Sequence, residues 1–199
     1  MCQWSGDTGP GYWELTTIPQ GSGDGMRVGK AIKVIRIEVA MHALVANDWV
    51  GDGNANHWAG GVLRTLLFVD NNTNGTGFSM VTGTPNTENN LMGGQYDSLT
   101  YWRHEERLQL LHDESIDVNV VYAQASTGST PWYSSVTPVK IDVCTDTVIT
   151  YSGTTGSLAE HTSKGIFLTA IQPFLSPQTG QAEKLPQTTT SVKVYYINC

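Results

Sequence analysis

The run from Ala31 to Ala46 limits this chain more than any other stretch, because its β-branched and small apolar residues alternate with polar ones. Lys33, Ile35, Ile37, Val39 and Met41 fall on one side; Val34, Arg36, Glu38, Ala40 and His42 fall on the other. A period of two belongs to a strand, and the uneven polarity predicts one face mostly buried and the other partly wet. The run follows a glycine-rich lead-in, Ile18-Pro-Gln-Gly-Ser-Gly-Asp-Gly-Met-Arg-Val-Gly-Lys30. Arg27, Lys30, Lys33 and Arg36 come at three-residue steps, so four of the 11 basic residues lie within ten positions.

Further runs repeat the strand pattern. Val62–Val69 is one, and Pro138–Tyr151 alternates almost regularly; Ile166–Ile171 and Ser191–Asn198 complete the set. Glu105–Glu114 alternates around Leu108, Leu110 and Leu111, and Ile116–Ala123 reads as another strand. Trp102–Asp113 also fits a helical period, but strand-like flanks on both sides favour a strand. Seven or eight strands joined by very unequal loops suit a Greek-key sandwich better than an up-and-down barrel. A chain of 199 residues with 21 glycines has room for one buried core and many turns. Residues 1–25, rich in Gly, Trp and Tyr without periodicity, read as an extended segment, with the β-domain over 26–199.

Net charge is −7, from 18 acidic and 11 basic residues, which argues against general affinity for nucleic acid. The first residues lack the basic and apolar regions of a signal peptide, and no apolar run approaches a membrane span. The expectation is a soluble intracellular protein without membrane contact. Cys2, Cys144 and Cys199 have neither metal-ligand nor disulfide-framework spacing. Cys144, inside an alternating run, is expected to be a small core residue, while Cys2 and Cys199 could pair or stay free.

Candidate sites thin out under the same reasoning. Asp70-Asn-Asn-Thr-Asn-Gly75 matches the first half of a calcium loop, but the twelfth position is Val81, which cannot ligate. A strand-ending turn is the better reading, and no metal is expected. His104, Glu105 and Glu106, and His112, Asp113 and Glu114, could suggest acid–base chemistry. Consecutive strand residues point to opposite faces, so solvated charge at strand ends is expected instead. With no catalytic motif, neither an enzyme nor a cofactor is expected. Trp4, Trp13, Trp49, Trp58, Trp102 and Trp132 leave open a carbohydrate-binding platform, or apolar anchors between subunits. The basic strand is the strongest candidate, for phosphate contact or merely for solvating a sheet edge.

Taken in order, several segments resemble the single jelly-roll capsid proteins of circovirus-like small circular single-stranded DNA viruses. Arg27-Val-Gly-Lys-Ala-Ile-Lys-Val-Ile-Arg-Ile-Glu-Val39 is similar to their first long strand, and Arg64-Thr-Leu-Leu-Phe-Val-Asp70 with Asn72-Thr-Asn-Gly75 to the next strand and turn. Arg107–Asp113, Val139–Gly153, Gly165–Ile171 and Val192–Asn198 fit later strands. The resemblance implies an all-β, eight-stranded single jelly roll (a Greek-key β-sandwich) with long loops. It implies a coat protein that self-assembles as a homo-oligomer, commonly of about sixty copies, into an icosahedral shell enclosing single-stranded DNA, and hence a place in the virion. Arg27, Lys30, Lys33 and Arg36 become nucleic-acid-binding candidates on the interior, and loops 47–60, 76–101 and 124–135 become candidates for subunit contacts and the outer surface. These capsid proteins normally carry an arginine-rich arm, which residues 1–25 do not contain.

Overall fold

In a computed structural model, which describes residues 2–4, 12–44, 60–73, 107–119, 122–123, 132–133, 136–171 and 187–199, the alternating runs are strands. They are β1 (Cys2–Trp4), β2 (Tyr12–Glu14), β3 (Ala31–Leu44), β4 (Gly60–Asp70) and β5 (Leu108–Asn119). Then come β6 (Tyr122–Ala123), β7 (Trp132–Tyr133), β8 (Val136–Thr150), β9 (Gly165–Ile171) and β10 (Gln187–Asn198). β6 and β7 pair only with each other; the other eight form two antiparallel sheets, β1-β10-β3-β8 and β2-β9-β4-β5.

The pairing has a simple rule. Counting those eight in chain order, the first pairs with the eighth, the second with the seventh, the third with the sixth and the fourth with the fifth. A long hairpin rolled up in this way is a jelly roll. Residues 1–25 contribute β1 and β2, one to each sheet, so the sandwich begins inside the segment expected to be a lead-in. β3, expected as the first strand, is the third. β5 runs unbroken where two strands were expected, and within Trp102–Asp113 it is extended rather than helical from Leu108 onward.

The core lies between the sheets. Ile32, Val34, Ile37, Val39 and Met41 of β3 and Val139, Ile141 and Ile149 of β8 meet Leu63, Leu67 and Val69 of β4 and Ile166, Leu168 and Ala170 of β9. At about 1.5–3 kcal/mol for each large aliphatic side chain, this burial is the main drive for closing the sandwich. The inward set of β3 changes parity, from even to odd numbers, across Ile35. There the register against both β8 and β10 slips. The extra residue is a β-bulge, which breaks the continuous alternation expected from the sequence and turns Ile35 outward.

The outer faces of the two sheets differ. In the second sheet, Leu63–Asp70 of β4 and Gly165–Ala170 of β9 are buried at every position, with Phe68 stacked on Phe167 at 5.6 Å between centroids. In the first sheet, Lys140, Asp142, Asp146, Val148, Lys193, Tyr195 and Ile197 are exposed. Cys144 belongs to that set. The expectation of a core thiol fails because the inward positions of β8 carry odd numbers. No described helix is long and apolar enough to cross a membrane.

Candidate nucleic-acid interface

Steps of three along a regular strand alternate faces, so Lys33 and Arg36 should point apart. The bulge at Ile35 removes that conflict and places both on the outer face of the first sheet. Lys33 Nζ lies 2.5 Å from Asp146 Oδ1. Arg36 donates to both Asp142 oxygens, through Nε at 2.8 Å and Nη2 at 2.7 Å, and its Nη2 also lies 2.9 Å from Glu38. Its guanidinium sits 5.6 Å from the Tyr195 ring centroid, and the Tyr195 hydroxyl donates to Glu38 at 3.1 Å. These hydrogen bonds and charges hold Lys33 and Arg36 above their usual pKa values and the Asp142 carboxyl below its own. The two cations are therefore neutralised within the face, largely by β8, a strand more than a hundred residues away in sequence.

Arg27 lies elsewhere. It is fully buried, its guanidinium 4.2 Å from the Tyr151 ring centroid. Nε donates to the Ile18 carbonyl at 3.0 Å, Nη1 to the Gly29 carbonyl and Nη2 to that of Gly153. A cation so enclosed has no surface to offer a phosphate, which corrects its place among the candidates. Lys30 is exposed beside it. The structure thus brings Lys33 and Arg36 onto one face, leaves Lys30 at the end of the lead-in, and takes Arg27 inside.

Around Arg27 the glycine-rich lead-in and the loop after β8 close on each other. Gln20 N–H donates to Thr154 O at 2.8 Å, and the Tyr151 hydroxyl donates to Thr16 O at 2.7 Å. Burial pushes that hydroxyl's pKa well up. His161 presents its ring edge-on to Tyr151 at 4.9 Å and holds Nε2 2.9 Å from Glu14 Oε1, on β2. A short 3-10 turn, Leu158–Glu160, brings the Glu160 carboxylate back to accept from Gly156 N–H at 2.8 Å. The only visible signal for this clasp was glycine density at both ends; pattern reading cannot pair Arg27 with a carbonyl 126 residues on.

Glu160 gives the clasp an acid limb. Burial pushes its carboxyl up, but hydrogen bonds from Gly156 and Thr155 and the Arg27 charge outweigh it, leaving the pKa below the usual value. A carboxylate with a depressed folded pKa adds stability above its unfolded pKa and loses it as pH falls through the folded one. Glu160→Gln is expected to lower the melting temperature at pH 7 and to converge on wild type as pH falls below the usual carboxylate range. Parallel melting curves across that range would contradict the assignment.

The other candidates settle as structure. Asp70 is buried, accepts from Asn72 N–H at 2.9 Å and holds Arg107 through both oxygens at 2.8 Å, so it caps a turn and anchors a strand. Asn74–Val81 lie outside the described residues, and among the described residues no cluster of metal-ligand side chains occurs. Asp113 is gripped by Arg64 at 2.6 and 2.5 Å, and His112 faces Glu114 at 3.5 Å, within β5 rather than at its end. His104, Glu105 and Glu106 lie outside the described residues, as do Trp49, Trp58 and Trp102 and loops 76–101 and 47–59. Trp13 packs against the core, and Trp4 and Trp132 fall in β1 and β7 rather than in loops.

Fold and geometry define the chain as an eight-stranded antiparallel jelly roll with one open, charge-paired sheet face. Comparison with protein-family models and with curated proteins finds no match.

Proposed function

We propose that this chain is the coat subunit of a small viral shell that self-assembles and encloses single-stranded DNA. The nested order of its eight strands is the observation that carries the reading, since jelly rolls of this kind build viral capsids as well as lectin domains. The segments that carry the resemblance to circovirus-like capsid proteins fall on β3, β4, β5, β8, β9 and β10, in the order that resemblance implies. Shell formation is a homo-oligomeric role, with the virion as its location and no catalysis or cofactor in it.

In this reading Lys30 is the most open to a phosphate of the four candidates. Lys33 and Arg36 reach one only by leaving Asp146 and Asp142. Since phosphate contacts are short-ranged in salt, local cations can act on a subunit of net charge −7. Purified protein is expected to appear as uniform particles in negative stain. The triple variant Lys30→Ala, Lys33→Ala, Arg36→Ala should still form them, with a lower 260/280 nm absorbance ratio. An unchanged ratio removes the phosphate role; a strictly monomeric protein across pH and salt overturns the shell.

A further inference from the structure

The chain buries both faces of β4 and β9 but leaves the outer face of β10, β3 and β8 open. Four cations, Lys33, Arg36, Lys140 and Lys193, share that face with three carboxylates, Glu38, Asp142 and Asp146. Arg36 takes more than one share of the acids. Its fork occupies both Asp142 oxygens, and Nη2 also reaches Glu38 Oε1, while the Tyr195 hydroxyl donates to Glu38 Oε2. Asp146 goes to Lys33. The acids nearest the two remaining lysines are thereby spent. Lys193 stands opposite Glu38 in the ladder, and Lys140 lies two residues before Asp142 on the same face of β8. Both lysines are exposed, and neither makes an ion pair among the described residues.

We infer that Lys140 and Lys193 are the principal phosphate contacts of this face, and that they hold the backbone of single-stranded DNA with Tyr195 as the platform for a base. The register sets the geometry. β8 and β10 flank β3, so the two lysines stand about 10 Å apart across the sheet, offset by one cross-strand pair. The row Ser191–Ala40–Lys140 carries short, exposed side chains up to Lys140, so a backbone can settle close to the sheet there. Tyr195 is two residues from Lys193 on the same face, about 7 Å along β10, within the reach of one nucleotide. It is 39% exposed, with Arg36 over one side of its ring. Cations beside an open aromatic ring suit a single strand, whose unpaired bases stack. A duplex keeps its bases inside, and an acidic protein segment has none. Arg36 is then a positioning residue, which keeps Asp142 and Glu38 from neutralising the two lysines.

This deepens the nucleic-acid part of the proposed function and rests on that reading, moving the main contacts from the basic run to cations on β8 and β10. Fluorescence anisotropy with a labelled oligo-thymidylate, on nucleic-acid-free protein at several salt concentrations, tests it. Lys140→Ala with Lys193→Ala should weaken binding roughly tenfold at low salt and flatten the plot of log affinity against log salt by about 1.4, the share of two contacts. Both side chains are exposed, so the melting temperature should stay near that of wild type. Lys30→Ala with Lys33→Ala removes as much charge but should cost no more than about threefold. Tyr195→Ala should cost roughly tenfold with little change in slope, and Tyr195→Phe should recover most of it. Equal losses for the two lysine pairs would reduce the effect to net charge and overturn the site. Wild-type binding to a duplex or to polyglutamate as tight as to the oligo-thymidylate would also overturn it, as would no binding at all. Uniform particles with unaltered binding in the Lys140→Ala, Lys193→Ala variant would overturn the site and leave the shell standing. A strictly monomeric protein that binds as expected would leave the site standing and overturn the shell.

Discussion

Arg27→Ala is expected to cost about 3–5 kcal/mol, more than any substitution among the exposed cations of the same stretch. The loss has two sources. The Ile18, Gly29 and Gly153 carbonyls each give up a charged donor, and the Tyr151 ring is left facing a void where the guanidinium lay. At about 2–4 °C per kcal/mol for a chain of this size, the melting temperature should fall by roughly 6–20 °C. Lys30→Ala, one turn of the chain away on the surface, should move it by no more than about 1–2 °C. Arg27→Lys keeps the charge but cannot span three carbonyls with one ammonium, so it should recover only part of the loss. Equal melting temperatures for Arg27→Ala and Lys30→Ala would show that Arg27 is not the clasp's centre.

Gly156→Ala should be nearly as damaging, for a reason that involves no side chain at all. Its φ is +74°, in the left-handed region that favours glycine, and a β-carbon there would run into the Ile18 carbonyl. Because the obstacle is backbone, relief requires the two loops to part, which also pulls the Gly153 carbonyl from Arg27. A loss of about 2–4 kcal/mol is expected, well above the ~1 kcal/mol of the left-handed conformation alone. Chemical denaturation measures it directly. Gly25→Ala is the internal control: it has a similar φ of +75° with nothing within 4 Å of the added atom, so only the backbone cost should appear. If the two alanines behave alike, the close approach of the loops is not what fixes glycine at 156.

Much of the sandwich was legible because burial of one face writes a period of two into the chain. β3, β8 and β10 show it, β4 and β9 read instead as short apolar runs because both their faces are buried, and Asp70-Asn-Asn-Thr was readable as a turn. Three things were not readable, each for a physical reason. β1 and β2 are only three residues long, too short for any period, and they are specified by the partners β10 and β9. The bulge at Ile35 leaves the composition of the run unchanged, so parity looked continuous where it was broken. Arg27 carries the same charge as Lys33 and Arg36, and nothing local says that its environment is carbonyls and an aromatic ring. Of the candidate site, residue type and spacing were therefore visible, but not which cations are buried, paired or open.

The single extra residue at Ile35 also fixes the relation between two messages written on one strand. Before it, even positions speak to the core and after it odd positions do, while the cations keep their own three-residue beat throughout. Straightening β3 with Ile35 retained would leave the sequence untouched, yet it would rotate one end of the strand by half a turn relative to the other. Either Ile32 and Val34 would face water, or Ile37, Val39 and Met41 would, with Lys33 or Arg36 driven inward in exchange. Loss of Ile35 itself would cost the core nothing in direction, because Val34, Arg36 and Ile37 then alternate in, out and in without a bulge.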